Sequence, residues 1–304
     1  MSSAAVQGIR PSCSNPANCR GSSRRSPSRV PTKAIVTARW SPRWLLESRR
    51  RSRHERPADP FQFRPSGRRE LHRRRRDPHV CRGRGRAELT LVTATRGQAG
   101  KRGDPPLCAP EELPATRERE LRAAADILGI QRLYLLDYED KQLADAEPEK
   151  IRTELVDLLR RHRPHVVVTF DPNGLTGHPD HKAISRFTSD AIQAAADPRL
   201  RTDAAPHQVT RLLWTPSLPP WEFGRQTDLA DRPGIDFVID VGAWREQKRA
   251  ALTAHRTQHL AVDRHWFGKP DVDRLLSVEA YRQAWGPTLP ERPMRKFLVD
   301  TPTE

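Results

Sequence analysis

The sequence has few of the features that mark several protein classes. No stretch approaches the roughly 18 consecutive apolar residues of a membrane-spanning helix, which excludes a spanning protein. The 304 residues contain only four cysteines, without C-x-x-C spacing, so neither a disulfide scaffold nor a thiolate metal site is indicated. An apolar signal-peptide core is also missing, and we therefore predict a cytoplasmic location.

Acidic residues are scarce in one part of the chain. Residues 1–87 carry 22 Arg and one Lys against five acids, a net charge of +18, whereas residues 88–304 carry −2. This division excludes a uniformly basic nucleic-acid-binding fold. The Arg-rich segment has three interpretations: a transit peptide, a tail too polar to fold, or a polyanion-binding module that uses runs such as Arg73–Arg76.

The remaining residues 88–304 alternate between apolar runs and helical periodicity, and they predict one α/β domain. A strand, helix, strand, helix, strand order is typical of a parallel sheet. We predict a Rossmann-like, three-layer parallel sheet flanked by helices. The predicted strands are Leu89–Thr95, Arg132–Tyr138, His165–Phe170, Arg211–Trp214 and Asp236–Val241, and the predicted helices are Glu111–Leu128, one that Pro148 opens, Ala243–Gln258 and Val278–Trp285.

A polar turn follows the third predicted strand and concentrates reactive side chains. It reads D-P-N-G-L-T-G-H-P-D-H from Asp171 to His181. Ligands of open α/β sheets bind beyond the carboxyl ends of the strands. Histidine and aspartate are zinc ligands, and histidine also moves protons near pH 7. The same residues are equally typical of a helix N-cap, so composition alone leaves both interpretations open.

The order of motifs between Leu89 and Ser185 resembles that of the PIG-L/LmbE-like N-deacetylases, a family of zinc amidohydrolases. The matching motifs are T-L-V-T-A-T-R-G, Arg117 with Glu120-Leu121, Leu136-Asp137-Tyr138-Glu139-Asp140, Pro164–Thr169 and G-x-x-G-H-P-D-H. A later K-x-x-A-x-x-x-H-x-x-Q pattern, from Lys248 to Gln258, also matches. The resemblance covers about two thirds of the chain.

The resemblance implies a role for each residue of the turn. His181 would bind zinc, His178 would polarise the substrate carbonyl or protonate the leaving amine, and Asp180 would orient an imidazole. Three further residues would bind substrate: Arg117, Asp171 and His255. The residues themselves leave alternatives, since Arg117 also suits a helix surface and His255 also suits packing between helices.

The implied activity is the zinc-dependent hydrolysis of an acetyl group from an N-acetylated amino sugar, its glycoside or its conjugate. Zinc-bound water, deprotonated by an aspartate, would attack the acetamide carbonyl. The expected partner is therefore a small-molecule substrate. Asp137 and Asp140 suit the rim of such a pocket, but they also suit an ordinary turn at a strand end.

The family's second motif, H-P-D-D-E, is missing from the printed sequence, although it should follow a first strand and supply two zinc ligands and the general base. When the codons of Arg64–Leu71 are read one base later, synonymous choices allow A-H-P-D-D-E-S-F, and Asp59–Arg64 then reads as a strand, I-L-S-S-F-A. We hypothesise that the reading frame is shifted from before about residue 59 to about residue 87. If the printed sequence is literal, the domain lacks its first strand and the chain is an inactive relic.

Overall fold

The computed structural model describes residues 88–216, 218, 222, 229 and 231–296, together with the backbone of residues 33–37. The strands are β1 (Lys33–Thr37), β2 (Glu88–Thr95), β3 (Arg132–Tyr138), β4 (Val166–Phe170), β5 (Arg211–Thr215), β6 (Phe237–Asp240) and β7 (Val278–Trp285). The helices are α1 (Leu113–Leu128), α2 (Pro148–His162), a single turn α3 (Gly174–Gly177), α4 (Pro179–Ala196), α5 (Arg245–Thr253), α6 (His259–Val262) and α7 (Val272–Ser277). None of these helices is long and apolar enough to cross a membrane.

The strands of the described residues form one sheet in the order β3-β2-β1-β4-β5-β7-β6. The five strands from β3 to β5 are parallel, and β7 runs antiparallel to both β5 and β6. The chain moves outward from β1 through β2 to β3 and then returns to the other side of β1 with β4. The crevice between β1 and β4 is therefore the topological switch point, where ligands of such sheets bind.

Helices cover both faces of this sheet. On one face, Leu121, Ala124 and Leu128 of α1 pack with Ala251 of α5 against β2 and β4. On the other face, α2 and α4 pack against the same strands and bury Val167 and Phe170. The predicted α/β class is confirmed. Burial on both faces explains why β4 is apolar along nearly its whole length.

The structure differs from the sequence prediction at the centre of the sheet. We expected the domain to lack its first strand, but Lys33–Thr37 lies between β2 and β4 and pairs in parallel with both. The run A-I-V-T is β-branched enough to form a strand, and without it two ladders would be left open. The Arg-rich run and the codons of the hypothetical frame shift lie outside the described residues.

The predicted helix Val278–Trp285 is wrong, because these residues form β7. Glu279, Ala280 and Gln283 favour helices in isolation. In the structure this segment fills the place between β5 and β6, and its backbone is paired on both sides. The predicted parallel sheet is therefore found in the strands from β3 to β5, whereas β7 makes the sheet as a whole mixed. In the structure, the helix predicted over Ala243–Gln258 is shorter than expected. It ends at Thr253 as α5, and a separate 3-10 turn follows.

Candidate active site

The H-P-D-H turn lies at the carboxyl end of β4, beside the switch point. Asp171 directly follows β4, is buried, and accepts a hydrogen bond from the backbone N–H of Leu175 at 2.8 Å through Oδ1. Pro179 occupies the first turn of α4, a position that requires no backbone N–H donor. The helix N-cap interpretation of the motif agrees with the start of α4 at Pro179, and the turn brings Asp171, His178, Asp180 and His181 to one edge of the sheet.

His178 caps α4 with its own ring. Its Nδ1 accepts a hydrogen bond from the backbone N–H of Asp180 at 3.1 Å. Because that N–H can only donate, the Nδ1 of His178 carries a lone pair, and a neutral ring has its proton on Nε2. The helix-cap interpretation and the chemical one are therefore compatible, since the cap fixes the tautomer of the ring.

In His181 the hydrogen bond at Nδ1 runs in the opposite direction to that in His178. Its Nδ1 lies 3.0 Å from the carbonyl oxygen of Gly174, which can only accept, so Nδ1 carries the proton and Nε2 the lone pair. The ring stacks on Phe170 with centroids 4.0 Å apart, and it lies 4.8 Å from the ring of His178. Two imidazoles in contact thus offer one N–H donor and one nitrogen lone pair.

Asp180 is fully buried and connects the turn to the loop after β3. Its Oδ2 accepts the backbone N–H of Lys141 at 2.7 Å. Asp140, the residue before Lys141, is also buried and accepts the N–H of Ala99 at 3.0 Å. Asp140 therefore joins two loops at the carboxyl edge, whereas the side chain of Asp137 is 77% exposed.

Arg117 is buried rather than on a helix surface. Its Nη2 donates to the carbonyl oxygen of Lys101 at 2.9 Å. A Cβ atom added at Gly97 or Gly100 would collide with its guanidinium nitrogens. The loop after β2 thus fits around the guanidinium only because these two positions lack side chains.

His255 is buried beside Arg117, in the segment between α5 and the next turn. Burial, and secondly the Arg117 charge, lower the pKa of His255 to about 3, so the ring is neutral near pH 7. Two residues on, Thr257 donates from its backbone N–H and its hydroxyl to the Glu120 carboxylate, both at 2.7 Å. These bonds fasten the segment to α1, one helical turn from Arg117.

The described residues do not complete a zinc site. A catalytic zinc needs three protein ligands and one open position. The lone pair on Nε2 of His181 suits one of these ligands, but within the described ranges no group of three His, Cys, Asp or Glu side chains is arranged to hold a metal. The described residues therefore do not fit a catalytic zinc ion.

Arg96 is a polar residue at this edge that the motif analysis did not single out. It directly follows β2, and its guanidinium pairs with Glu118 and, at 2.9 Å, with Asp137. Arg96 lies one residue beyond a predicted strand, and residues at such positions meet at the ligand-binding edge of a parallel sheet. That position was the sequence signal that could have identified Arg96 as a residue of this edge.

A cavity of about 320 Å³ opens next to the turn, at the carboxyl ends of β4 and β5. Asp171 and Pro216 line one part of it, and Arg232, Ile235 and Arg282 line another. The loops Gly97–Pro110 and Pro216–Arg232 carry no diagnostic sequence pattern, so the cavity could not be predicted from motifs.

Comparison with known proteins gives matches in sequence and in structure. The PIG-L family, described as GlcNAc-PI de-N-acetylase, matches residues 82–192. The 1D-myo-inositol 2-acetamido-2-deoxy-alpha-D-glucopyranoside deacetylase of Streptomyces griseus is 32% identical over 251 residues, which cover 67% of this chain and 76% of that protein. A probable N-acetyl-alpha-D-glucosaminyl L-malate deacetylase 2 of Bacillus anthracis is 37% identical over 105 residues, which cover 34% of this chain and 46% of that protein.

A solved structure shows the same fold. The crystal structure of a conserved protein from Thermus thermophilus superposes with a TM-score of 0.50 at 26% identity, covering 66% of this chain and 84% of that one. The sequence resemblance, the match to the family and the relatives all agree. This chain therefore belongs to the PIG-L/LmbE-like deacetylase family.

Proposed function

We propose that this protein, with its reading frame restored, is an N-deacetylase that hydrolyses the acetamide of an N-acetylated amino sugar, or of its glycoside or conjugate, to acetate and a free amine. The observation that carries the proposal is the imidazole pair, whose opposite tautomers are fixed by a backbone N–H and a carbonyl. The names of the relatives, which are deacetylases of N-acetylglucosamine derivatives, support the substrate class.

In this proposal His178 is a hydrogen-bond donor to the reacting group. With a lone pair on Nδ1, its neutral ring would donate a hydrogen bond from Nε2–H to the acetamide oxygen as negative charge develops there. Asp180 would support this ring through its backbone N–H, while its carboxylate holds Lys141. The leaving nitrogen also needs a proton, because an unprotonated amine is a poor leaving group. In the restored chain that proton would come from the attacking water by way of the aspartate base of H-P-D-D-E.

We propose Asp171, Arg117 and His255 as residues that shape the substrate site. Asp171 contributes to the wall of the cavity next to the turn. The contacts of Arg117 with Lys101, and the proximity of the neutral His255 ring, support a positioning role, in which they hold the loop after β2 in place.

We also propose that a chain whose reading frame is restored binds zinc. There His181 would supply one ligand, and the His and second Asp of H-P-D-D-E would supply two others. In that chain the strand I-L-S-S-F-A would take the place between β2 and β4. The printed chain, which has one of these ligands, is expected to be inactive. No finding favours the Arg-rich polyanion-binding alternative.

The first test is the nucleotide sequence across codons 55–90, read in three frames on both gene and transcript. H-P-D-D-E in the shifted frame supports the hypothesis. If the indel is confined to the gene assembly, the cell makes the active enzyme, whereas an indel in the transcript means a broken gene. The absence of the motif from every frame would contradict the hypothesis.

The second test measures acetate release by the restored chain in the presence of N-acetylglucosaminyl-inositol and zinc. His178→Ala should lower kcat by about 10²- to 10³-fold, as expected for loss of one hydrogen-bond donor to the developing oxyanion. His181→Ala should abolish activity and also lower the zinc content measured by mass spectrometry. His259→Gln, a histidine outside the turn, is the matched control. Full activity in His181→Ala would exclude the mechanism.

A further inference from the structure

The aromatic ring of Phe170 lies parallel to the imidazole of His181. The two centroids are 4.0 Å apart, and the two planes differ by only 2°. Phe170 is the last residue of β4 and is 1% exposed, so its ring is held inside the protein. Stacked aromatic rings attract each other beyond the effect of the area they bury. The contact therefore restricts the plane of the His181 ring.

Phe170 is itself fixed by the sheet and by α4. Its backbone pairs with Thr215 in the ladder between β4 and β5. Its carbonyl oxygen accepts a buried hydrogen bond from the hydroxyl of Ser185 at 2.7 Å. Ser185 lies four residues after His181, and residues at that spacing share one face of a helix. The same face of α4 therefore contacts Phe170 twice, through the His181 ring and through the Ser185 hydroxyl.

A second contact selects one of the two orientations that the His181 ring has within this plane. The torsion that turns a histidine ring is broad and roughly two-fold, and a flip exchanges the positions of Nδ1 and Cδ2. Only one orientation places Nδ1 at 3.0 Å from the carbonyl oxygen of Gly174, to which it donates. The approach depends on glycine, because a Cβ atom at Gly174 would lie 3.0 Å from the Cβ of His181.

The two contacts thus restrict different motions of one ring. Phe170 restricts the tilt of the imidazole, and the Gly174 carbonyl selects between its two flipped orientations. The ring of His178 also stacks on His181, but at 4.8 Å and with the planes 28° apart, so it defines the plane less closely than Phe170 does. If the imidazole tilts away from this plane, the Nδ1–H no longer points at the carbonyl of Gly174.

We propose that Phe170 is a positioning residue for His181. Its ring holds the imidazole in the plane in which Nδ1 donates to Gly174, and this contact fixes the tautomer with the proton on Nδ1. The tautomer is a property of the folded chain. Its effect on catalysis rests on the proposed function, in which His181 is part of the reacting centre.

The first test is the tautomer of His181 in the full chain at about pH 8, above the ordinary histidine pKa of about 6.5. The readout is the pair of ring-nitrogen chemical shifts by NMR in protein with isotope-labelled histidine. His181→Gln identifies the signals of this ring among the 11 histidines. Phe170→Leu removes the aromatic face and remains apolar, whereas Phe170→Tyr keeps the ring. The matched control is Phe187→Leu, because Phe187 is 2% exposed, lies on α4 and belongs to the same core cluster.

We expect one tautomer, with the proton on Nδ1, in the wild type, in Phe170→Tyr and in Phe187→Leu. In Phe170→Leu the two nitrogen shifts should move toward each other, because the ring then samples both orientations and both tautomers. The second test is acetate release by the restored chain. There Phe170→Leu should lower kcat by about ten- to a hundredfold with KM unchanged, since the loss affects the geometry of the reacting group, and Phe187→Leu should retain the wild-type kcat.

A mixture of tautomers in the wild type would overturn the inference, even if Phe170→Leu failed to fold. An unchanged tautomer in Phe170→Leu, or the same change in Phe187→Leu, would overturn it as well. If the tautomer changes as expected but the restored wild type releases no acetate, the positioning of His181 stands and the deacetylase proposal fails. If the restored chain is active and Phe170→Leu lowers kcat without changing the tautomer, the deacetylase proposal stands and the positioning role fails.

Discussion

The chemical character of the two central histidines is decided by the backbone around them. His178 and His181 are three residues apart, yet one Nδ1 accepts from an N–H and the other donates to a carbonyl. Each contact is local, from Asp180 in one case and from Gly174 in the other. A change in the loop that moves Gly174 would therefore alter the tautomer of His181 without touching its side chain.

At this scale the clearest prediction concerns the pH dependence of stability through His255. Its pKa in the folded protein is about 3, below the ordinary value of 6.5. Between these values the unfolded chain binds a proton that the folded protein excludes, so the free energy of unfolding falls as pH decreases. In urea titrations from pH 6 to 4.5, the free energy of unfolding of the wild type should fall by up to about 1.4 kcal/mol per pH unit more than that of His255→Gln.

The control for this comparison is Leu252→Ala in the same segment. Leu252 is buried, so its truncation should lower stability by about 2–5 kcal/mol at every pH while retaining the wild-type slope. If the free energy of unfolding depends on pH equally in the wild type and in His255→Gln, then His255 takes up a proton in the folded state. That result would contradict the lowered pKa of His255.

The sequence located the H-P-D-H turn better than it predicted the contacts around that turn. The H-P-D-H motif is read directly, because its four residues are contiguous and follow an apolar strand. The burial of Arg117 could not be predicted from the sequence, because it depends on Gly97 and Gly100, which approach Arg117 from another part of the chain. The contact of Glu120 with Thr257 is likewise long-range and leaves no local pattern.

Among the elements, α5 and β7 are joined by a buried ion pair between Lys248 and Glu279, both almost fully inaccessible to solvent. Glu279→Gln would leave the ammonium group buried without its counter-charge. We expect a loss of about 3–5 kcal/mol in the free energy of unfolding, measured by urea denaturation. The double change Lys248→Met with Glu279→Met should recover much of that loss, because no charge remains buried.

An exposed ion pair between α5 and α7 is the control for this experiment. Arg249 and Asp273 lie 3.1 Å apart, with side chains 33% and 66% exposed. Asp273→Asn should change stability by less than about 1 kcal/mol, since exposed pairs contribute little. Equal effects of Glu279→Gln and Asp273→Asn would contradict the packing of β7 against α5.

The error over β7 has a specific physical origin. Its sequence V-E-A-Y-R-Q-A-W has apolar residues at helix-like spacing and good helix formers between them. In the structure consecutive residues Glu279, Ala280 and Tyr281 are all buried, because the sheet is covered on both faces and Glu279 meets Lys248. Two-sided burial removes the alternation by which a strand is recognised. By contrast, the bounds of β3 agree with the prediction.

For the molecule as a whole, the strand at the centre of the sheet distinguishes the printed chain from a restored one. Ile35 pairs with Thr90 on one side and Val167 on the other. Ile35→Pro should destabilise the printed chain by about 3 kcal/mol or more in thermal or urea unfolding, because proline removes a ladder hydrogen bond and fits poorly in a central strand.

The restored-frame chain provides the matched comparison. If its I-L-S-S-F-A strand occupies the same place between β2 and β4, Ile35→Pro should leave its stability unchanged. Destabilisation of both chains to the same extent would show that Lys33–Thr37 is the native central strand, and the frame-shift hypothesis would lose its structural support.

The hydrogen bonds between loops at the carboxyl edge affect how a substrate enters. Arg117 holds the carbonyl of Lys101, Ala99 donates to Asp140, and Lys141 donates to Asp180, so the segments after β2 and β3 are fastened to α4. The anchoring side chains are a guanidinium and two carboxylates, all buried, and leaving any of them without its partner would be costly. This edge is therefore preorganised by its own hydrogen bonds. If the proposed substrate binds here, little of its binding energy is lost to ordering these loops.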